Sequence, residues 1–107
     1  MSEFTIKQND TSPSLLYAIQ PTSIDLTGAT VVFNMRNQVT NVVQVSRKAA
    51  IVVTATGTPT VQYDWDEADT QTSGQFEAEF EVTHSNGRVE TFPQRGFIGI
   101  TITDDIA

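Results

Sequence analysis

Three groups of side chains have the types and spacing for chemistry. They are the corner Asp64, Asp66, Glu67 and Asp69, the strand positions Glu77, Glu79 and Glu81, and the single histidine, His84. Several carboxylate oxygens on one loop suit a hard cation such as calcium. The corner fails the helix-loop-helix calcium spacing: counted from Asp64, position five is Ala68, position six is Asp69 where glycine is needed, and position twelve is Gln75. Asp64 and Asp66 also share the strand face opposite Trp65, so a turn or N-cap role for Asp66 or Asp69 is expected. Paired carboxylates can act as general acid and base. Glu77, Glu79 and Glu81, however, stand on one outward strand face where water solvates them, and nothing marks one for the desolvation a catalytic acid needs. Such a row would suit a basic partner surface. His84 precedes a hairpin tip, Ser85-Asn86-Gly87, with no triad partner or ligand cluster in view. No nucleophile motif or glycine-rich phosphate cradle occurs. No enzyme activity, metal or cofactor is expected.

The elements that position these residues are strands. Phe76, Ala78, Phe80 and Val82 alternate with the three glutamates, and successive strand side chains point to opposite faces, so this strand has an apolar face and a carboxylate face. Runs of Val, Ile, Thr and Phe, broken by Gly, Pro, Asn and Asp, recur at the spacing of a β-sandwich. Strands are expected near 3–8, 14–20, 29–36, 41–46, 49–55, 60–65, 75–83, 88–93 and 96–103, with one helical turn within 66–73. The expected architecture is an all-β antiparallel sandwich, a single domain over 10–107, preceded at 1–9 by a polar arm or first edge strand. Alternation assigns Val31, Phe33, Met35, Val61, Tyr63, Trp65, Phe76, Phe80, Val82 and Phe92 to the core, with Phe97 or Ile98, Ile100 and Ile102 from the last strand. A two-residue Asn86-Gly87 turn would set Phe92 opposite Glu81 on the acidic face, so a three-residue loop or a bulge is expected instead.

With 107 residues and 38% hydrophobic content, one core can form without staples, and there is no cysteine to supply any. A net charge of −7 disfavours nucleic acid and anionic membranes, because phosphate affinity comes from Lys and Arg displacing counterions. The start, MSEFTIKQND, does not have the pattern of a secretory leader, and no apolar run approaches the length of a membrane span. Sandwich edges can accept a neighbouring strand. Segment 2–9 is polar and extended enough to dock as an arm, which makes Glu3, Phe4 and Ile6, beside Glu77, Glu79 and Glu81, the expected partner contacts.

The segments IDLTGATVVFNMR (24–36), VQYDWDEADTQTSGQFEAEFEV (61–82) and NGRVETFP (86–93), after the polar start and Asp10-Thr11, resemble the N-terminal domain of phage baseplate upper proteins. The likeness covers nearly the whole chain. It implies an immunoglobulin-like β-domain and a non-enzymatic structural component of a bacteriophage virion, assembled in the bacterial host cytoplasm. Its implied partners are other phage structural proteins, within a homo-oligomer or larger assembly. A tail or baseplate docking module is expected first. With Ala107 as the last residue, an adaptor or a capsid decoration (cement) protein of the head is the alternative. A carbohydrate-binding module is a further reading, with Trp65, Tyr63 and Tyr17 as its platform candidates; core packing is the expectation for Trp65 and Tyr63.

Overall fold

Alternation in two long strands builds the centre of the molecule. The computed structural model describes residues 3–106; residues 1–2 of the expected arm and residue 107 of the expected sandwich lie outside them. The strands, in chain order, are β1 (Glu3–Lys7), β2 (Leu15–Ala18), β3 (Thr30–Asn37), β4 (Val43–Thr54), β5 (Thr60–Tyr63), β6 (Gly74–Thr83), β7 (Val89–Phe92) and β8 (Ile98–Thr103), with a 3-10 turn at Glu67–Thr70. β3 and β6 pair antiparallel without interruption from Thr30↔Thr83 to Asn37↔Phe76. That register puts Val31, Phe33 and Met35 beside Val82, Phe80 and Ala78 on the inner face, and a slip of one residue would turn all six outward.

The strands form one continuous sheet in the order β1-β8-β6-β3-β4-β5-β2, with β7 added on β6, and the sheet folds back on itself until it is nearly a barrel. The fold-back happens within β4. Its first half pairs with β3 and its second, from Ile51, with β5. Separate strands were expected at 41–46 and 49–55, but no glycine or proline stops the chain between them. Instead Arg47 takes a left-handed φ of 51° and donates its N–H to Asn34 Oδ1 at 2.8 Å, so the strand bulges, bends and continues. A second departure is β1, which pairs with β8 in parallel, from Glu3↔Gly99 to Lys7↔Thr103, where antiparallel pairing was expected. Gln8 N–H to the Thr103 carbonyl (2.8 Å) continues that pairing past the strand end.

β7 and β8 share one edge of β6. β8 covers Gly74–Ala78 and β7 covers Phe80–Thr83, so residues 93–97 loop out opposite Glu79. The β6–β7 loop has three residues, closed by Gly87 N–H to the His84 carbonyl and His84 N–H to the Arg88 carbonyl, both 2.8 Å. Gly87 has a φ of 86°, the conformation that ends such a loop at little steric cost. The register becomes Phe80↔Phe92, and Phe92 points inward, 1% exposed.

The ten core residues assigned by alternation are all buried, and from the last strand Ile98, Ile100 and Ile102 join them, while Phe97 stays half-buried. Phe33 is the hub: its ring lies 4.2 Å from Tyr63, 5.0 Å from Phe80 and 5.6 Å from Trp65. Full burial of each large side chain stabilises the fold by roughly 1.5–3 kcal/mol. Ile19 and Leu26 are also fully buried, from coil segments. Each is anchored by its own N–H, to the carbonyls of Pro59 (2.8 Å) and Ala55 (2.9 Å) respectively.

Candidate functional site

The carboxylate face of β6 is not the solvated row its composition suggests. The β3 and β4 registers bring two arginines across it. Arg36 Nη2 and Nε donate to Glu77 Oε2 at 3.0 and 3.1 Å, and the Arg36 guanidinium lies 5.0 Å above the Phe97 ring. Arg47, delivered by the β4 bulge, donates to Glu81 Oε1 at 2.7 Å. Glu77, Glu79 and Glu81 are all half-buried, and only Glu79 lacks an ion pair or side-chain hydrogen bond among the described residues. Glu79 stands opposite Asn34, whose amide oxygen accepts from the Arg47 N–H, and opposite the 93–97 excursion on its other side. Asn34, Met35, Arg36, Val43, Ser46, Glu77, Glu79 and Phe97 surround an open depression of about 230 Å³.

The acidic corner is organised around a lysine. Asp69 is buried, and its Oδ2 accepts from Tyr63 Oη at 2.5 Å and from the Asp66 N–H at 2.9 Å. Lys48 Nζ donates to Asp69 Oδ1 and Asp66 Oδ2, each at 3.0 Å. Burial, and next the hydrogen bond to Asp69, hold the Tyr63 phenol far above its ordinary pKa. The bonds to Asp69 and then Asp66 raise Lys48. Asp64 faces elsewhere: hydrogen bonds from Ser14 Oγ (2.5 Å) and Gln62 Nε2 (2.7 Å) lower its pKa. Of the four carboxylates that could have met a calcium ion, Asp64, Asp66 and Asp69 thus answer an ammonium group or neutral donors, and Glu67 is exposed. Among the described residues no three His, Asp or Glu side chains converge as metal ligands. The same corner fastens the chain start, through Thr70 Oγ1 to the Asp10 carbonyl (2.8 Å) and Gln8 Nε2 to the Gln71 carbonyl (2.7 Å).

The segment offered as an arm is a strand of the domain itself. Ile6 is 4% exposed, and Phe4 stacks on Trp65 with centroids 5.7 Å apart, so both serve this core, while Glu3 is exposed. Their burial follows from β8, which gives β1 a partner and an apolar inner face to cover. The sugar platform fails for the same kind of reason: Trp65 and Tyr63 are buried, and the half-buried Tyr17 stacks on Phe80 at 5.9 Å. His84, just before the hairpin tip, is half-buried and shares a 2.7 Å hydrogen bond with Glu90.

A surface missed by the sequence reading lies on the other side of the molecule. Leu16 on β2, Gln62 on β5 and Ile51 on β4 align in one row across three strands. Leu16 is 60% exposed, Ile51 49% and Val53 51%, and Ala18 and Ala49 are exposed as well. Neither β2, β5 nor residues 49–54 contain a charged residue. The available signal was the unbroken run Ala49-Ala50-Ile51-Val52-Val53, beside Leu15-Leu16: where apolar residues occupy both parities, one set must face outward.

These features define a small all-β domain of one folded sheet, with a self-paired charged face and an uncharged apolar one. The chain belongs to the BppU N-terminal domain family, whose model matches residues 4–97. BppU is the baseplate upper protein, so the chain is a structural domain of the phage baseplate type and part of a virion. Neither the curated proteins nor the solved structures compared with it gave a match.

Proposed function

We propose that this domain is a non-enzymatic docking module of a phage tail baseplate, assembled in the host cytoplasm as one subunit among other virion structural proteins. The observation that carries the reading is the uncharged outer face of β2, β5 and the end of β4, with Leu16, Ile51 and Val53 exposed on it. Exposed large apolar side chains on an uncharged face, Leu16 on one side of Gln62 and Ile51 and Val53 on the other, favour a protein contact, and the family membership supports another virion protein as the occupant. The absence of acid–base work is supported by how the carboxylates are used: Glu77 and Glu81 pair with arginines, and Asp69 binds Tyr63 and Lys48. A net charge of −7 speaks against nucleic acid as the partner. The folded sheet, with two inner faces packed on each other, is also consistent with an immunoglobulin-like sandwich.

Immunogold electron microscopy of purified particles, with antibody against the folded domain, tests the assignment. Gold at the tail tip is the expected result. Gold over the head would replace it with the decoration reading. No gold, together with no band when the same particles are blotted, would remove the protein from the virion altogether.

A further inference from the structure

The depression over Glu79 is built differently from the rest of the charged face. Its neighbours along β6 are neutralised by Arg36 and Arg47, whereas Glu79 is half-buried and has no counter-charge among the described residues. An ionised carboxylate without a partner keeps its acceptor oxygens free for a donor from outside the domain. The gap exists because β7 and β8 leave residues 93–97 out of the sheet at this position, so no strand residue covers Glu79 on that side. Part of the wall is apolar, the half-buried ring of Phe97 and Val43, which is 58% exposed, and Asn34, Arg36, Ser46 and Glu77 line the rest. Arg95, on the same excursion, is exposed and does not line the depression.

We propose that this depression receives a basic side chain, arginine or lysine, from a neighbouring virion protein, with the cation on Glu79 and its methylene stem against Phe97 and Val43. A long basic side chain matches both features at once, since its stem packs on apolar surface while its head stays polar. Charge complementarity selects it: with Arg36–Glu77 and Arg47–Glu81 each summing to zero, the patch carries one uncompensated negative charge. A partially buried ion pair flanked by Phe97 and Val43 would combine the charged and apolar contacts found at interface hot spots. The identity of the partner rests on the docking reading; the chemistry of the depression does not.

The test is an NMR titration of the isotope-labelled domain with N-acetyl-arginine amide, and with the neutral citrulline analogue as its isostere. Saturable shifts at Asn34, Glu79 and Phe97 with the arginine compound, and not with citrulline, are the expected result. Glu79→Gln should weaken that binding about tenfold while leaving shifts elsewhere in the domain unchanged. Three results would each overturn the proposal: equal shifts with both compounds, binding indifferent to Glu79→Gln, or shifts centred on Asp104 and Asp105. Because the probe reports on the depression alone, a positive titration with no protein in the virion would reject the docking reading and leave the site standing.

Discussion

The outer face of β6, β3 and the start of β4 and the outer face of β2, β5 and the end of β4 are made by the same sheet, yet they meet water in opposite ways. The first holds Glu77, Glu79, Glu81, Arg36 and Arg47, and most of that charge is settled within the domain. The second holds Leu16, Ile51 and Val53 with no charge at all. A composition rich in acids therefore does not say where the domain is adhesive. Carboxylates that looked available are mostly occupied, and the surface that lacks a partner is the quiet one. One strand, β4, belongs to both faces, and the bulge at Arg47 followed by the bend near Ile51 separates them.

The comparison breaks most severely at the joint. Asp69→Ala removes the carboxylate that holds Tyr63, Lys48 and the Asp66 N–H, leaving a buried phenol without its acceptor and Lys48 with Asp66 alone. A loss of about 3 kcal/mol is expected, read from urea denaturation. Tyr63→Phe deletes one bond of that network while keeping the ring stacked on Phe33, and should cost about 1 kcal/mol. It carries a pH signature as well. The folded-state pKa values of Tyr63 and Lys48 are both raised, so their stabilisation is present below the unfolded values of about 10 and is lost as pH rises beyond them. The thermal midpoint should hold to about pH 10 and then fall, less steeply in Tyr63→Phe. The smallest effect belongs to the charged face: Glu81→Gln removes a surface ion pair whose arginine is 61% exposed, and should change stability by less than about 1 kcal/mol. A loss several times larger would mean that this face, and not the joint, organises the fold.

Much of the fold was legible because its signal is periodic. Strict alternation in β6 and β3 located the inner face, and the conflict between Phe92 and Glu81 called for a three-residue loop or a bulge, of which the molecule uses the loop. What escaped depends on contacts far apart in sequence. The continuity of β4 turns on Asn34 reaching Arg47, and the parallel β1–β8 pair joins the two ends of the chain. Leu26 is a single apolar residue in coil, which no period can flag, whereas Ile19 lies in the expected 14–20 segment, one residue past the end of β2. At the candidate site, the glutamates were readable as a row, but their pairing with Arg36 and Arg47 follows from cross-strand register and a bulge. Only the apolar face had left an unread trace, in a run of small and branched residues that does not alternate.

The central claim is that the uncharged face is where this domain joins its neighbours, and a double variant addresses it directly. Leu16→Lys with Ile51→Lys places two charges on exposed positions, so the isolated domain should keep its stability within about 0.5 kcal/mol. Quantitative blotting of purified particles produced with this variant then measures incorporation against the unaltered chain. The account predicts a folded protein that is missing from particles. Incorporation at the unaltered copy number would contradict it.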